Sequence, residues 1–204
     1  EPFAALDYLL AEDANKAYRA LEVLDKNNQE RKLCEKDMLL IAHQQAKSQV
    51  AAGRHSLVIF DKSFHMGVQG IVASRLVEKF GRPCVVLSVM DESRVSGSAR
   101  TISSVHIRDA LEGVHALNKD VLLSFGGHTG AAGLKIPTER LDDFKSLFEQ
   151  VIKSMVSLDT LKPEVFTDGV LQADQINFST INALNNLAPF GRGFEAPVFE
   201  GEFE

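Results

Sequence analysis

Between Ser56 and Ser157, short apolar runs of strand type alternate with amphipathic stretches whose apolar residues recur at helical spacing. That alternation admits few folds, because strands and helices that trade places along a chain pack as helices on a sheet. Ser56 to Phe60 reads as the first strand. Gly67 to Phe80 is a helix with Val68, Ile71, Val72, Leu76 and Phe80 on one side. Cys84 to Met90 is apolar enough for a buried central strand. A polar turn, Asp91 to Arg94, sends Val95 to Ile102 back beside it, so the predicted sheet is mixed. His106 to Leu117 is a second amphipathic helix, after which Val121 to Phe125 runs into Gly126-Gly127-His128. Gly133 to Ile136 is one more strand, stopped by Pro137. Thr138 is placed to N-cap a third helix, Leu141 to about Met155, which buries Phe144, Leu147, Phe148, Val151 and Ile152.

Residues 5 to 50 read as helix, broken once near Glu12-Asp13 and stopped at Gly53. In its middle, from Asp25 to Lys32, the apolar stripe nearly vanishes, the pattern of a helix that crosses solvent or bridges two bodies. A start at Glu1-Pro2 without a methionine fits an excised fragment. Past residue 158 the character changes. Lys162-Pro163 reads as a linker, Asp168-Gly169 as a turn, and Ile176 to Leu187 as a short helix. Val198 to Phe203 alternates like a strand whose partners are expected beyond Glu204.

The net charge of −6 argues against indiscriminate polyanion binding, yet Arg54 to Arg108 holds eight basic and four acidic residues, a local +4 against −10 elsewhere. Such asymmetry suits a local nucleotide or nucleic-acid face. Cys34 and Cys84 are too few for a disulfide framework or a cysteine metal cage and fit a reducing cytoplasm. No apolar run is long enough to span a bilayer. The six histidines form no Asp-His-His cluster or HExxH, and no Walker loop or GxSxG elbow is present. The sequence therefore predicts binding loops without a self-sufficient catalytic centre.

Four clusters carry those loops. Phe125 to Gly133 (FGGHTGAAG) pairs adjacent glycines with His128, and its small residues read as a strand-to-helix turn whose exposed N–H groups would take an anion. Ser96 to Thr101 (SGSART) surrounds one arginine with small residues, so that its guanidinium could grip a phosphate bidentately while Ser98 adds a hydroxyl. His65 precedes a helix and is equally a satisfied turn histidine or an anion contact. Leu187 to Gly193 (LAPFGRG) is by itself an ordinary inter-domain turn.

Taken in order, these clusters resemble the bacterial RecJ family of single-strand-specific DNA exonucleases, in the DHH phosphoesterase superfamily. His65 to Ser74 is similar to its H-x-G-V-x-G-I-V-A-S, with Met66 and Gln69 at variable positions. Gly97 to Thr101 resembles G-S-G-R-S, with Ala99 for a glycine and Thr101 for a serine. His106 to Leu111 resembles H-x-R-D-A-L, and Phe125 to Gly133 resembles F-G-G-H-x-x-A-A-G. Leu187 to Pro197 is similar to L-x-P-F-G-x-G-x-x-x-P, with Phe194 where many members have asparagine, and Asn28 to Arg31 to N-x-x-R.

The resemblance implies an α/β fold in three parts. Residues 1–53 would connect from an absent N-terminal catalytic domain, 54–157 would be the compact mixed-sheet DHH-associated domain, and 158–204 a linker and the start of an incomplete OB-fold. It implies Mn²⁺ or Mg²⁺ in the absent DHH domain and none bound here, with a whole enzyme that degrades single-stranded DNA 5′→3′ in repair and recombination. Ser98, Arg100, Gly126, Gly127 and His128 would hold phosphate, with Asn28, His65 and Arg108 as further contacts. Its partners would be single-stranded DNA, its own DHH domain, the rest of the OB domain, and a single-strand-binding protein or helicase. The alternatives are a DHH phosphodiesterase of short oligonucleotides or cyclic dinucleotides, a tRNA-binding module like the C-terminal domain of alanyl-tRNA synthetase, and a structural interaction domain.

Overall fold

Asp13 divides the N-terminal region into two helices, α1 (Pro2–Leu9) and α2 (Ala14–Ala51). Its backbone is extended, and its carboxylate accepts from the Lys16 amide at 2.9 Å, which satisfies one of the free N–H groups of the first turn. Along α2 the buried residues are Met38, Ala42 and Ala46, all in the C-terminal half, so the polar middle is indeed solvent-facing. Gly53, at φ +71°, ends the helix in a conformation that glycine adopts without strain. The computed structural model describes residues 2–161, 165–191 and 193–201.

Five strands follow: β1 (Leu57–Phe60), β2 (Cys84–Val89), β3 (Arg94–Arg100), β4 (Ser124–Gly127) and β5 (Ala131–Pro137), in the spatial order β1-β2-β3-β5-β4. Only β1 and β2 are parallel; the other neighbours are antiparallel, which gives the mixed sheet expected from the Asp91 turn. At that turn Arg94 donates to Asp91 at 2.8 Å and holds its carboxyl down to about 2.

The helices α3 (Gln69–Phe80), α4 (Ile107–Leu117) and α5 (Leu141–Met155) cover the sheet. Met38, Ala42, Ala46, Leu57, Ile59, Val72, Leu76 and Val86 make a core under α2 and α3. Val58, Leu87, Val95, Leu111, Leu134, Phe144, Phe148 and Ile152 make the core under α4 and α5.

Two expectations need correction. Thr138 does not cap α5 with its side chain: it opens a 3-10 turn, Thr138–Arg140, and its amide donates to the Ser93 carbonyl at 2.8 Å. The fourth strand begins at Ser124 rather than Val121, because the Val121 amide is turned back onto the Asn118 carbonyl at 3.4 Å and the register with β5 starts at Ser124 opposite Lys135.

β1 is an edge strand, and α2 covers its open side. Gln49 pairs with Val58 through both amide groups, donating to its carbonyl at 2.9 Å and accepting from its N–H at 3.0 Å. Gln45 does the same with Phe60, at 3.0 and 3.2 Å. The fit is geometric: four residues of helix rise about 6 Å, close to the roughly 6.6 Å between alternate residues of a parallel strand. Two carboxamides thus stand in for a neighbouring strand and hide an edge that would otherwise pair with another chain. Replacing both glutamines by leucine is expected to cost about 2–4 kcal/mol, since four backbone groups lose their partners. Amide exchange at Val58 and Phe60 should rise with it, and unchanged exchange would show that the pairing does not protect the edge.

The C-terminal unit, from residue 163 onward, is separate. Asn177 caps α6 (Phe178–Asn185) by accepting from the Thr180 amide at 3.0 Å. Asp168 and Val198 are joined by the Asp168 amide donating to the Val198 carbonyl (2.7 Å) and the Val198 amide to the Asp168 carboxylate (2.9 Å). Among the described residues the expected strand Val198 to Phe203 is only a bridge between Glu200 and Val170. Lys162-Pro163, Arg192 and the end of that stretch, Glu202 to Glu204, lie outside the described residues.

Candidate nucleic-acid interface

β3 alternates strictly. Val95, Gly97 and Ala99 are buried, while Ser96, Ser98 and Arg100 occupy the other face. Gly97 is required by packing, because a Cβ there would lie 2.5 Å from Leu87 Cδ2 and 3.0 Å from Leu134 Cδ2. Pairing then aligns the opposite face in rows. Arg100 stands beside Ala131, and Ser98 beside Gly133, which is itself paired with Gly126. The second row has no side chain larger than serine. α2 covers this face over β1, and α3 over β2 and part of β3, but Gly126 and Gly133 stay exposed, so the β5–β4 side of the sheet is an open floor.

Arg100 lies at the border of that floor. Its guanidinium rests over Gly70 in the first turn of α3, where a Cβ would come within 2.7 Å of Nη2. Nη1 donates to the neighbouring Ala99 carbonyl at 2.8 Å, and among the described residues no carboxylate pairs with it. A half-buried guanidinium without a counter-charge is available to an anion. Thr101 Oγ1, the next residue's hydroxyl, is buried without a hydrogen-bonding partner among the described residues.

The Gly-Gly-His segment is not a strand-to-helix turn. It is the β4–β5 hairpin: the His128 amide donates to the Ala131 carbonyl at 2.8 Å, and β5 follows at once. The small residues after His128 continue as a strand because Ala132, Leu134 and Ile136 are buried at every second position. No helix N-terminus faces an anion here. The adjacent glycines also differ in kind. Gly127 has φ +154° and its Cβ would collide with the Ala131 carbonyl, so the turn itself demands glycine. Gly126 has nothing within 4 Å of where a Cβ would be, so its lack of a side chain only keeps the floor bare.

His128 and Arg100 thus flank Ala131 from either side, about 10 Å apart across two strand spacings. The hairpin turn is tied to α4, whose Ile107 amide donates to the Thr129 carbonyl at 3.0 Å. Exposed Arg108 follows that tie and sits on the rim; α4 packs on the other face of the sheet, so Arg108 is not on the floor.

Asn28 and His65 meet in a second groove, between α2 and the 3-10 turn Met66–Val68, together with Arg31 and Gly67. His65 Nδ1 accepts from the Gly67 amide at 3.0 Å, which leaves Nε2 to carry the proton of the neutral ring and point a donor outward. Asn28 Oδ1 accepts from Arg31 Nη2 at 2.8 Å. Met66 and Gln69, read from the sequence as variable positions, bridge this groove to the floor. Met66 Sδ accepts from Ser96 Oγ at 3.1 Å, and Gln69 donates to Ser88 Oγ at 2.6 Å and to the Ser96 carbonyl at 2.9 Å.

The role of Gly70 was visible in the sequence only as the second glycine of its motif; nothing there paired it with Arg100. No group of three or more His, Cys, Asp or Glu able to hold a metal ion exists among the described residues, and no helix is long and apolar enough to cross a membrane.

The DHHA1 domain family matches residues 49–154, and the RecJ OB domain matches residues 167–204. The chain is 34% identical over 202 residues to the single-stranded-DNA-specific exonuclease RecJ of Haemophilus influenzae, covering 98% of this chain and 35% of that protein. With the Escherichia coli protein of the same name it is 31% identical, over 96% of this chain and 34% of the relative. The chain therefore spans about a third of the length of these relatives. Among solved structures, RecJ of Thermus thermophilus in complex with Mg²⁺ superposes with a TM-score of 0.79 at 28% identity, over 96% of this chain and 29% of that one.

Proposed function

The chain belongs to the DHHA1 domain family, and on that premise we propose that it is the substrate-gripping part of a RecJ-type exonuclease acting 5′→3′ on single-stranded DNA in repair and recombination. The observation that carries this is the unpaired Arg100 guanidinium at the edge of a bare floor made by Ser98, Gly133 and Gly126. Backbone and small residues let a phosphate approach closely, and the arginine fork and serine hydroxyl supply donors in fixed positions. Arg100, Ser98 and His128 hold a terminal phosphate, while Gly126 gives it room. Gly127 serves through the shape of the turn. Asn28 and His65 line the neighbouring groove, and Arg108 adds charge at the rim.

Holding and orienting a strand end is the larger share of what a phosphoryl-transfer site requires of groups that bind no metal. The T. thermophilus relative carries Mg²⁺ in one structure and Mn²⁺ in another. Among the described residues no group of three or more His, Cys, Asp or Glu could hold such an ion, and we assign the hydrolytic chemistry to a separate DHH domain of the whole enzyme. The enzyme would work in the cytoplasm, alongside a single-strand-binding protein or a helicase.

The test is binding and cleavage by this chain alone. A 5′-phosphorylated oligothymidylate should bind about a hundredfold more tightly than its 5′-hydroxyl counterpart, because the whole charge-assisted contact set of the phosphate is lost. Binding should weaken with salt, and tRNA should compete poorly. With Mn²⁺ or Mg²⁺ no cutting should be seen. Equal binding of both 5′ ends would remove the terminal-phosphate grip, and robust cutting by a clean preparation would remove the assignment of the chemistry elsewhere.

A further inference from the structure

We infer that Lys135, flanked by Ser96 and Ser124, is a second phosphate subsite, two nucleotides inward from the terminal one; this rests on the terminal-phosphate grip proposed above. The sheet places it. Ser88, Ser96, Lys135 and Ser124 form one row across β2, β3, β5 and β4. Along β5 the same face carries Ala131, Gly133 and Lys135, so Lys135 is the large side chain at the far end of the floor from Arg100. Lys135 and Ser124 are exposed, and among the described residues neither side chain has a hydrogen-bonding or ionic partner. Among the described residues Ser96 Oγ is held only by the Met66 sulfur, a weak acceptor that a phosphate oxygen would displace.

Charge separates this from an ordinary solvated lysine. The chain has 28 acidic residues against 22 basic ones. Yet the face of β3, β5 and β4 that carries Ser98, Arg100 and Lys135 has no acid of its own; Arg94, at its end beside Pro137, is held by Asp91 of the adjoining turn, whereas Lys135 has no such partner among the described residues. Successive rows lie about 7 Å apart, comparable with one step of a stretched single strand. Arg100 and Lys135 stand two rows apart, about 14 Å, with the bare Ser98–Gly133–Gly126 row between them. A stretched strand with its terminal phosphate at Arg100 would then carry its first internucleotide phosphate over the glycines and bring the second to Lys135.

The experiment measures binding of pTpT and pTpTpT, which differ by one nucleotide and one internucleotide phosphate, to wild type, Lys135→Gln, Lys135→Arg and Arg100→Ala. Lys135→Gln should weaken pTpTpT about three- to tenfold and leave pTpT unchanged, while Lys135→Arg keeps wild-type affinity for both. The dependence of log K on log salt for pTpTpT should become shallower by about 0.7, the contribution of one phosphate contact on a single strand. Arg100→Ala should weaken both ligands. If Lys135→Gln leaves pTpTpT untouched while Arg100→Ala weakens both, the second subsite is wrong and the terminal grip stands. Equal weakening of pTpT and pTpTpT by Lys135→Gln would move Lys135 nearer the terminal phosphate and overturn the inference. Indifference of both ligands to Arg100→Ala would overturn the grip itself.

Discussion

Glu149→Gln is expected to lower the stability of the sheet domain by about 3–5 kcal/mol, the range for breaking a buried charge network by removing one member. Glu149 lies on the buried side of α5 at 8% exposure. One carboxylate oxygen accepts from the His55 amide at 2.9 Å, and the other from the Ser56 amide at 2.9 Å and the Ser56 hydroxyl. Arg54 Nε stands 3.6 Å away and Lys153 Nζ 3.5 Å away. Arg54 also donates to the Lys145 carbonyl, and Arg82 to the Arg54 carbonyl, so the carboxylate fixes the junction of α2, β1, α3 and α5. A glutamine of the same shape turns its NH₂ toward the His55 or the Ser56 backbone amide, donor against donor, in either orientation. Burial raises the Glu149 pKa, but the Ser56 hydroxyl, the two amides and the Arg54 charge outweigh it, and the net shift is downward. A carboxyl depressed in the folded state stabilises fully above its unfolded pKa, and that stability is lost as pH falls through the folded value. The gap between wild type and Glu149→Gln should therefore be constant at neutral pH and close as the solution is acidified below the usual carboxylate range. Denaturant unfolding at several pH values checks this, and a gap independent of pH would deny that the charge matters.

Glu149 also shows where sequence reading stops. The apolar spacing of Phe144, Phe148, Val151 and Ile152 located the buried side of α5, and a glutamate inside that stripe was the available signal. Its partners at Arg54 to Ser56 lie some 93 residues away, and no local pattern joins them. The same holds for Gln45 and Gln49, which read as ordinary polar helix positions until β1 lies beside them. Element order and the mixed sheet were legible because each depends on period and punctuation within ten or so residues. The Gly-Gly-His turn was misread because small residues permit a helix start and a hairpin alike. Burial of Ala132, Leu134 and Ile136 decides for the hairpin, and that burial is a property of the assembled sheet. The motifs named Ser98, Arg100 and His128, whereas Gly70 and Lys135 emerge only from register and contact.

Arg100→Ala should weaken binding of a 5′-phosphorylated single strand about ten- to a hundredfold, the loss expected for a hydrogen-bonded charge contact of about 1.5–3 kcal/mol. Arg100→Lys should recover only part of it, because an ammonium cannot reproduce the fork. Arginine removal alone leaves open whether charge or placement matters, and Gly70 separates them. Gly70→Ala puts a methyl 2.7 Å from Arg100 Nη2, at the free end of a flexible side chain, so the guanidinium moves and the helix does not. Since alanine favours a helix over glycine by roughly 0.5–1 kcal/mol, this variant should be as stable as wild type or more so. Its affinity for the phosphorylated strand should nevertheless fall, with all charges retained. Stability and binding moving in opposite directions is an outcome that general damage to the fold does not produce. Wild-type affinity in Gly70→Ala would mean that the position of the guanidinium over α3 is not the one the ligand uses.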